Sequence, residues 1–259
     1  MVYLIPKEQV KQRFASSADT YDDFATVQRE LGYKLLEIIK STGKACTNIL
    51  EIGCGTGFFT QLLHESYPDA NILALDIAPP MVDKARERLG ENNKVSFLVA
   101  DGEDLSLSYD EPFDLVVSNV VFQWFSQYDR AFTNYFNLLK EDGALIFNTL
   151  GYGTFRELYQ LQGKENPFKT KDEILCFLQI AGFEKINCTE EEIVQYFATC
   201  REFLRGIKKI GADTSMLPET GEAQNHQGVF GLVKQYNQEF STPKGIQATY
   251  MPMFFSAYK

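Results

Sequence analysis

Glycines stand at alternate positions in Glu51-Ile52-Gly53-Cys54-Gly55-Thr56-Gly57, between an apolar run and a helix-forming one. That spacing lets the backbone turn sharply and approach a ligand closely, although a plain strand-to-helix turn would use the same residues. Where a nicotinamide-binding turn wants another small residue, this chain has Phe58. Asp76 ends the next apolar run, 19 residues after Gly57, where a carboxylate can accept both hydroxyls of a ribose. Ala100-Asp101-Gly102-Glu103 closes a third run, and Asp101 there can accept from an adenine amino group; Ser118-Asn119 closes a fourth. Any one acid could be a helix cap. Four polar positions at the ends of consecutive strands fall along the crevice where doubly wound sheets bind ligands.

Other chemistries find little support. The two histidines, His64 and His226, lie in a helical and a polar stretch without a supporting motif, so neither a His-ligated metal site nor a Ser-His-Asp triad is expected. Cysteines 46, 54, 176, 188 and 200 contain no C-x-x-C pair and total an odd number, which favours reduced thiols over a disulfide framework. Cys54 reads either as a nucleophile or as a small residue filling a tight turn. Twenty-five Lys and Arg against 35 Asp and Glu give a formal charge of -10, which argues against nucleic acid as a partner. No apolar stretch approaches the roughly 18 residues a membrane helix needs, and a cytoplasmic protein is expected.

The residues at 48–52, 72–77, 95–100, 113–118 and 144–149 are short apolar runs without strict alternation, as strands covered on both faces should be. Helical patterns at 58–67, 80–89 and 129–140 separate them. This alternation predicts an α/β fold with a doubly wound, Rossmann-like sheet. Two helices precede it within residues 7–40, and helices near 155–161, 171–181 and 201–210 follow. Strands at 192–197 and 247–258 are expected to complete the sheet, with residues 198–245 forming a helical cap inserted before the last strand. The expected organisation of residues 1–259 is one domain: N-terminal helices 1–44, a cofactor-binding core 45–150, substrate-side elements 151–197, the cap 198–245 and the final strand 246–259.

Residues 45–150 resemble the class I S-adenosylmethionine-dependent methyltransferases in this ordered set of motifs. The resemblance implies S-adenosylmethionine as cofactor and S-adenosylhomocysteine as product. It puts Gly53, Cys54, Gly55 and Gly57 under the methionine part, Asp76 on the ribose, and Ile77 beside the adenine. Asp101 would hold the adenine amine with Gly102 and Glu103 beside it, and Glu51 would orient the loop and the ligand's amino group. Met81 either packs under the adenine or serves the general core. A narrower resemblance, to the malonyl-acyl-carrier-protein O-methyltransferases of biotin synthesis, covers nearly the whole chain. It rests on Arg13-Phe14, Ala18, Tyr21-Asp22, Ala25 and Gln28; on Ala78-Pro79-Pro80-Met81; on Ser118-Asn119 with Gln123-Trp124; and on Asn148 to Leu158. The cap segment Phe203-Leu204-Arg205-Gly206-Ile207-Lys208-Lys209-Ile210-Gly211-Ala212 belongs to the same pattern. It adds Tyr21, Gln28 and Asn119 to the expected cofactor contacts.

The implied reaction methylates the free carboxylate of a malonyl thioester on acyl carrier protein, with malonyl-coenzyme A as a possible carrier. A carboxylate is an anion at neutral pH and needs no general base. Expected substrate contacts are Tyr21, Gln123, Trp124 and Arg205, whose guanidinium could orient the carboxylate; Trp124 could equally be core. Arg201, Lys208 and Lys209 recur at helical spacing with Arg205, either as a solvated basic face or as a docking patch for an acidic carrier protein. Competing readings are another small-carboxylate methyltransferase, such as one acting on a free tricarboxylate, and a cofactor-binding protein without catalysis.

Overall fold

Five runs rich in Val, Ile, Leu and Phe become parallel strands: β1 (Asn48–Ile52), β2 (Asn71–Asp76), β3 (Val95–Val99), β4 (Phe113–Asn119) and β5 (Leu139–Leu150). The computed structural model describes residues 6–105, 111–212 and 226–259. The sheet runs β3-β2-β1-β4-β5 and continues through β10 (Pro252–Tyr258) to β6 (Glu184–Glu190). β10 is antiparallel to both neighbours. Strand order reverses between β1 and β4, which opens a crevice at their C-terminal ends.

Side chains alternate across a strand, and here they divide between two cores. Ile49, Leu115, Val117, Ala144 and Ile146 pack on one face; Leu50, Val116, Leu145 and Phe147 pack on the other. The first face is covered by α3 (Thr26–Ser41), whose Leu31, Leu35, Leu36 and Ile39 are buried at helical spacing, and by α4 (Phe58–Ser66). At about 2 kcal/mol per buried aliphatic side chain, that stripe of α3 outweighs its weak capping, since no side chain caps its N-terminus. The second face is covered by α6 (Tyr128–Leu138) and α8 (Lys171–Ala181), the latter opened by a reciprocal Thr170–Glu173 capping box. Helix α5 (Pro79–Leu89) takes its two prolines in the first turn, where a missing N–H costs nothing.

The substrate-side half departs from expectation in three places. The strand expected at 192–197 does not join the main sheet: β7 (Ile193–Phe197) pairs with β9 (Gly245–Tyr250), and β8 (Ser241–Thr242) borders β9, making a separate antiparallel sheet. The run expected as one final strand breaks at Met251. Its carbonyl accepts from Gly151 N–H at 2.8 Å, and Pro252, which has no N–H to give a ladder, begins β10 as the first residue of a strand. β6 was not expected at all. Its sequence Glu-Lys-Ile-Asn-Cys-Thr-Glu is largely exposed, because an edge strand has one partner and carries charge against further pairing. The expected cap holds α9 (Cys200–Lys209), α10 (His226–Glu239) and β8; its residues 213–225 lie outside those described. No helix among the described residues is long and apolar enough to cross a membrane.

Candidate active site

The glycine turn after β1 is held from two sides. Gly53 and Cys54 both donate their N–H to the Leu75 carbonyl, at 2.7 and 2.8 Å. Asp76 then clamps the turn, accepting from Gly55 N–H at 3.0 Å and Ala78 N–H at 2.9 Å. Gly53 has φ +74, and a Cβ there would sit 2.3 Å from Val121 Cγ2; Gly55 has φ +53 and nothing within 4 Å of its missing Cβ. The first glycine allows close packing and the second leaves open space. Burial pushes the Asp76 carboxyl up to about 6, partly offset by these backbone donors. Burial, with Asp76 nearby, pushes Glu51 up to about 8, and its Oε2 has no hydrogen-bond partner.

The strand ends line a cavity of about 700 Å³. Gly53 and Gly55 form one side; Asp76, Ile77 and Met81 follow β2; Asp101 and Gly102 follow β3; Asn119 follows β4. Tyr21, in the short helix α2 (Tyr21–Phe24), and Trp124 close it. Of the other expected cofactor contacts, Glu51, Cys54, Gly57 and Glu103 do not line this cavity, and Gln28 lines a neighbouring one. Gly57, Cys54 and Glu103 have other work. A Cβ on Gly57 would lie 2.9 Å from Ala85 Cα, so that glycine lets α4 and α5 approach. The Cys54 thiol is buried, and burial with Asp76 and Glu51 drives its pKa up, leaving no thiolate for nucleophilic attack. Glu103 is buried and accepts from Ser126 N–H and Oγ at 2.6 and 2.9 Å, so it fastens the loop before α6.

Sequence reasoning missed the wall contributed by α1 (Lys7–Ser17). Lys7, Val10 and Phe14 recur at helical spacing and all line the cavity. The Lys7 ammonium donates to both Asp101 carboxylate oxygens at 2.7 and 2.6 Å and pairs with Glu103. It therefore shares Asp101 with whatever donor enters the cavity.

A second cavity, about 440 Å³, lies beside the first and shares four residues with it: Phe14, Tyr21, Val120 and Trp124. Its remaining walls include Leu150, Phe155, Phe168, Ile207 and Tyr250, with Gln28 and Gln123 as polar members. Among the described residues, three non-glycine positions have positive φ, and two of them, Val120 at 57° and Phe155 at 54°, line this cavity. Such backbone persists only where its surroundings fix it, and it clusters at functional sites. Asn148 fixes Val120, its Oδ1 accepting from the Val120 N–H at 2.8 Å.

Arg205 lines neither cavity. α9 buries Phe203 and Ile207, and at about 100° per residue a position two on from Phe203 points to the opposite side, where Arg205 is exposed. Arg201, Lys208 and Lys209 are exposed with it, and among the described residues none of the four has an ion-pair partner. His64 hydrogen-bonds Asn92 at 2.9 Å, away from both cavities. His226 begins α10. No cluster of His, Cys, Asp or Glu suited to a metal occurs among the described residues.

Comparisons with known proteins agree with this geometry. A family model described as a methyltransferase domain matches residues 49–143. The malonyl-[acyl-carrier protein] O-methyltransferase of Acetivibrio thermocellus is 34% identical over 275 residues, covering 99% of this chain and 95% of the relative. That of Anoxybacillus flavithermus is 35% identical over 260 residues, covering 97% of each. Among solved structures, YcgJ of Bacillus subtilis superposes with a TM-score of 0.61 at 15% identity, over 88% of this chain and 98% of that one. Haemonchus contortus phosphoethanolamine N-methyltransferase 2, solved with phosphomonomethylethanolamine and S-adenosylhomocysteine, gives 0.57 at 22% identity, over 88% and 53%. These two structural likenesses bear on the fold alone.

Proposed function

The chain belongs to the malonyl-[acyl-carrier protein] O-methyltransferase family, and from that premise we propose that it methylates the free carboxylate of a malonyl thioester on acyl carrier protein, using S-adenosylmethionine. The product, a malonyl methyl ester, would enter biotin synthesis. The observation that carries the reading is the pair of contiguous cavities: one at the strand ends with ribose- and amine-accepting carboxylates, the other mostly apolar, joined through Phe14, Tyr21, Val120 and Trp124.

The residues of the first cavity fit the cofactor. Asp76 keeps lone pairs beyond those given to Gly55 and Ala78, the open space beside Gly55 admits a ligand's chain, and the unpartnered Glu51 Oε2 lies beneath the same loop. When bound, S-adenosylmethionine supplies a methyl on a sulfonium sulfur, an electrophile that needs no activation. The chain's own work is then placement and drying. Phe14, Val120 and Trp124 exclude water at the junction, where a carboxylate stripped of hydration is a stronger nucleophile. Because that carboxylate is already ionised, no base is required.

A free tricarboxylate would bring three charges into a cavity with no cation among its described lining residues, which disfavours that acceptor. Arg201, Arg205, Lys208 and Lys209 on α9, exposed and without an ion-pair partner among the described residues, support docking of an acidic carrier protein close to Ile207 and Ile210 of the cavity wall. Since the whole chain carries -10, such docking is local and salt-sensitive. The test is intact mass spectrometry of malonyl-carrier protein after incubation with the enzyme and S-adenosylmethionine. One methyl substitution on malonyl-carrier and none on acetyl-carrier is the expected result; no substitution, with cofactor binding intact, overturns the acceptor.

A further inference from the structure

The second cavity presents a recognition problem. Its acceptor is an anion, yet among its described lining residues there is no Lys, Arg, Asp or Glu. Uncharged donors are what it offers. The hydroxyls of Tyr21 and Tyr250, the indole N–H of Trp124 and the side-chain amide of Gln28 have no hydrogen-bond partner among the described residues. Gln123 differs: its Nε2 donates to the Val120 carbonyl at 2.8 Å and its Oε1 accepts from Thr149 at 3.0 Å, so its amide is oriented by the wall and one of its two N–H donors is committed there.

The free donors separate by position. Tyr21 and Trp124 line both cavities and so stand at the junction the methyl group crosses; Gln28 and Tyr250 line only the second. Tyr250 is the most deeply set of the four, 8% exposed. Its ring meets Phe155 edge-on at 4.8 Å, and its backbone pairs with Ile193 in the small sheet, so the hydroxyl is held in one place. Burial raises its pKa, which keeps the donor's hydrogen in place at any working pH. A hydroxyl with no hydrogen-bond partner among the described residues, on a residue lining a mostly apolar cavity, is free to donate to a ligand acceptor.

Resting on the malonyl reading, we propose that Tyr250 is a specificity-determining residue that donates to the substrate carboxylate, holding the oxygen that is not methylated. An uncharged donor suits this chemistry. A guanidinium would pair with both oxygens, lowering the nucleophilicity on which transfer depends, and in the free enzyme it would be a buried cation without a partner. A hydroxyl set away from the junction fixes one oxygen and leaves the other its lone pairs. No proton moves in the transfer, so Tyr250 is neither acid nor base.

The test compares acid with ester. Tyr250→Phe keeps the ring against Phe155 and removes only the donor. Binding of malonyl-carrier protein and of its methyl ester is measured by calorimetry in the presence of S-adenosylhomocysteine, which permits no turnover, alongside kcat/KM for malonyl-carrier. Affinity for the acid is expected to fall about 10- to 100-fold, as for loss of a hydrogen bond to a charged group. Affinity for the ester and for S-adenosylhomocysteine should change less than about threefold, within the cost of a hydrogen bond between neutral groups. Equal losses for acid and ester, or no loss for either, overturn the inference while leaving the reaction standing. A wild-type chain that neither binds nor methylates malonyl-carrier overturns both. Should Tyr250→Phe fail to fold, 3-fluorotyrosine at 250 gives the complementary readout: a more acidic hydroxyl should bind the acid more tightly and the ester unchanged, and no difference between them overturns the inference.

Discussion

The two glycines of the cofactor turn have different tasks, and single alanine substitutions should separate them. At Gly53 the backbone has φ +74 and an added Cβ would sit 2.3 and 2.9 Å from the two methyls of Val121. Left-handed backbone costs a non-glycine residue about 1–2 kcal/mol, and forcing a methyl into packed space costs about 1–3 kcal/mol more. Gly53→Ala should therefore destabilise the cofactor-free protein by about 2–5 kcal/mol. At Gly55 the φ is +53 but no atom lies within 4 Å of the added Cβ, so only the backbone cost of about 1–2 kcal/mol applies. Gly55 lines the cavity, and its substitution should act on the ligand: one methyl of overlap, at about 1–3 kcal/mol, weakens S-adenosylhomocysteine binding about 5- to 150-fold. Urea denaturation without ligand and calorimetric titration with it measure the two effects. If Gly55→Ala is as unstable as Gly53→Ala, or binds S-adenosylhomocysteine as well as wild type, the division of labour is wrong.

Glu51, 1% exposed with its carboxyl raised to about 8, gives a pH signature. A group whose folded pKa is raised contributes stability that is complete below its unfolded value near 4.5 and is lost as pH rises through about 8. Stability should therefore fall by about 1 kcal/mol per pH unit between roughly pH 5 and 8 and level off above that, and Glu51→Gln should flatten that slope; a variant with the wild-type slope assigns the titration elsewhere. Charge reversal of Arg201 and Lys209 to Glu should raise KM for carrier protein and weaken the rise of KM with salt, while leaving S-adenosylhomocysteine affinity unchanged. Turnover that survives at low carrier concentration would move the docking surface off α9. Phe203 is wholly buried, with ring centroids of Phe155 and Phe197 at 5.3 Å and Tyr236 at 5.9 Å; Phe203→Ala should cost about 3–5 kcal/mol in chemical denaturation. Because Phe203 lines neither cavity, an equal loss of S-adenosylhomocysteine affinity in the folded variant would contradict this layout.

The cofactor half was readable because its signals are local. A strand buried on both faces shows as an apolar run, and the groups at its end fall at fixed offsets from it, so Asp76, Asp101 and Asn119 could be placed from spacing. The substrate half depends on pairings the spacing does not encode. Nothing in the residues of β6 distinguishes an edge strand from a loop, and the apolar run through Met251 looks continuous although its two halves pair in different sheets. Tyr250 became visible as a site residue only through that split. The misplacing of Arg205 had a local remedy: Phe203, Ile207 and Ile210 mark the buried stripe of α9, and Arg205 lies outside its phase. Lys7 carried no such mark, since its role arises from a partner 94 positions away.

The exchange of the chain between sheets at Met251 also orders events during synthesis. β1 to β5 and their helices are made early, and these parallel strands need nothing later to pair with one another. β10 lies between β5 and β6, and β9 lies between β7 and β8, so both antiparallel regions wait for residues 245–258 before any of their central hydrogen bonds can form. A nascent chain can thus close its nucleotide crevice while the edge of β5 and the strand β7 still lack neighbours. Unpaired edges recruit other chains, so the interval between completing β5 and delivering β10 is the period in which this protein most needs protection from aggregation.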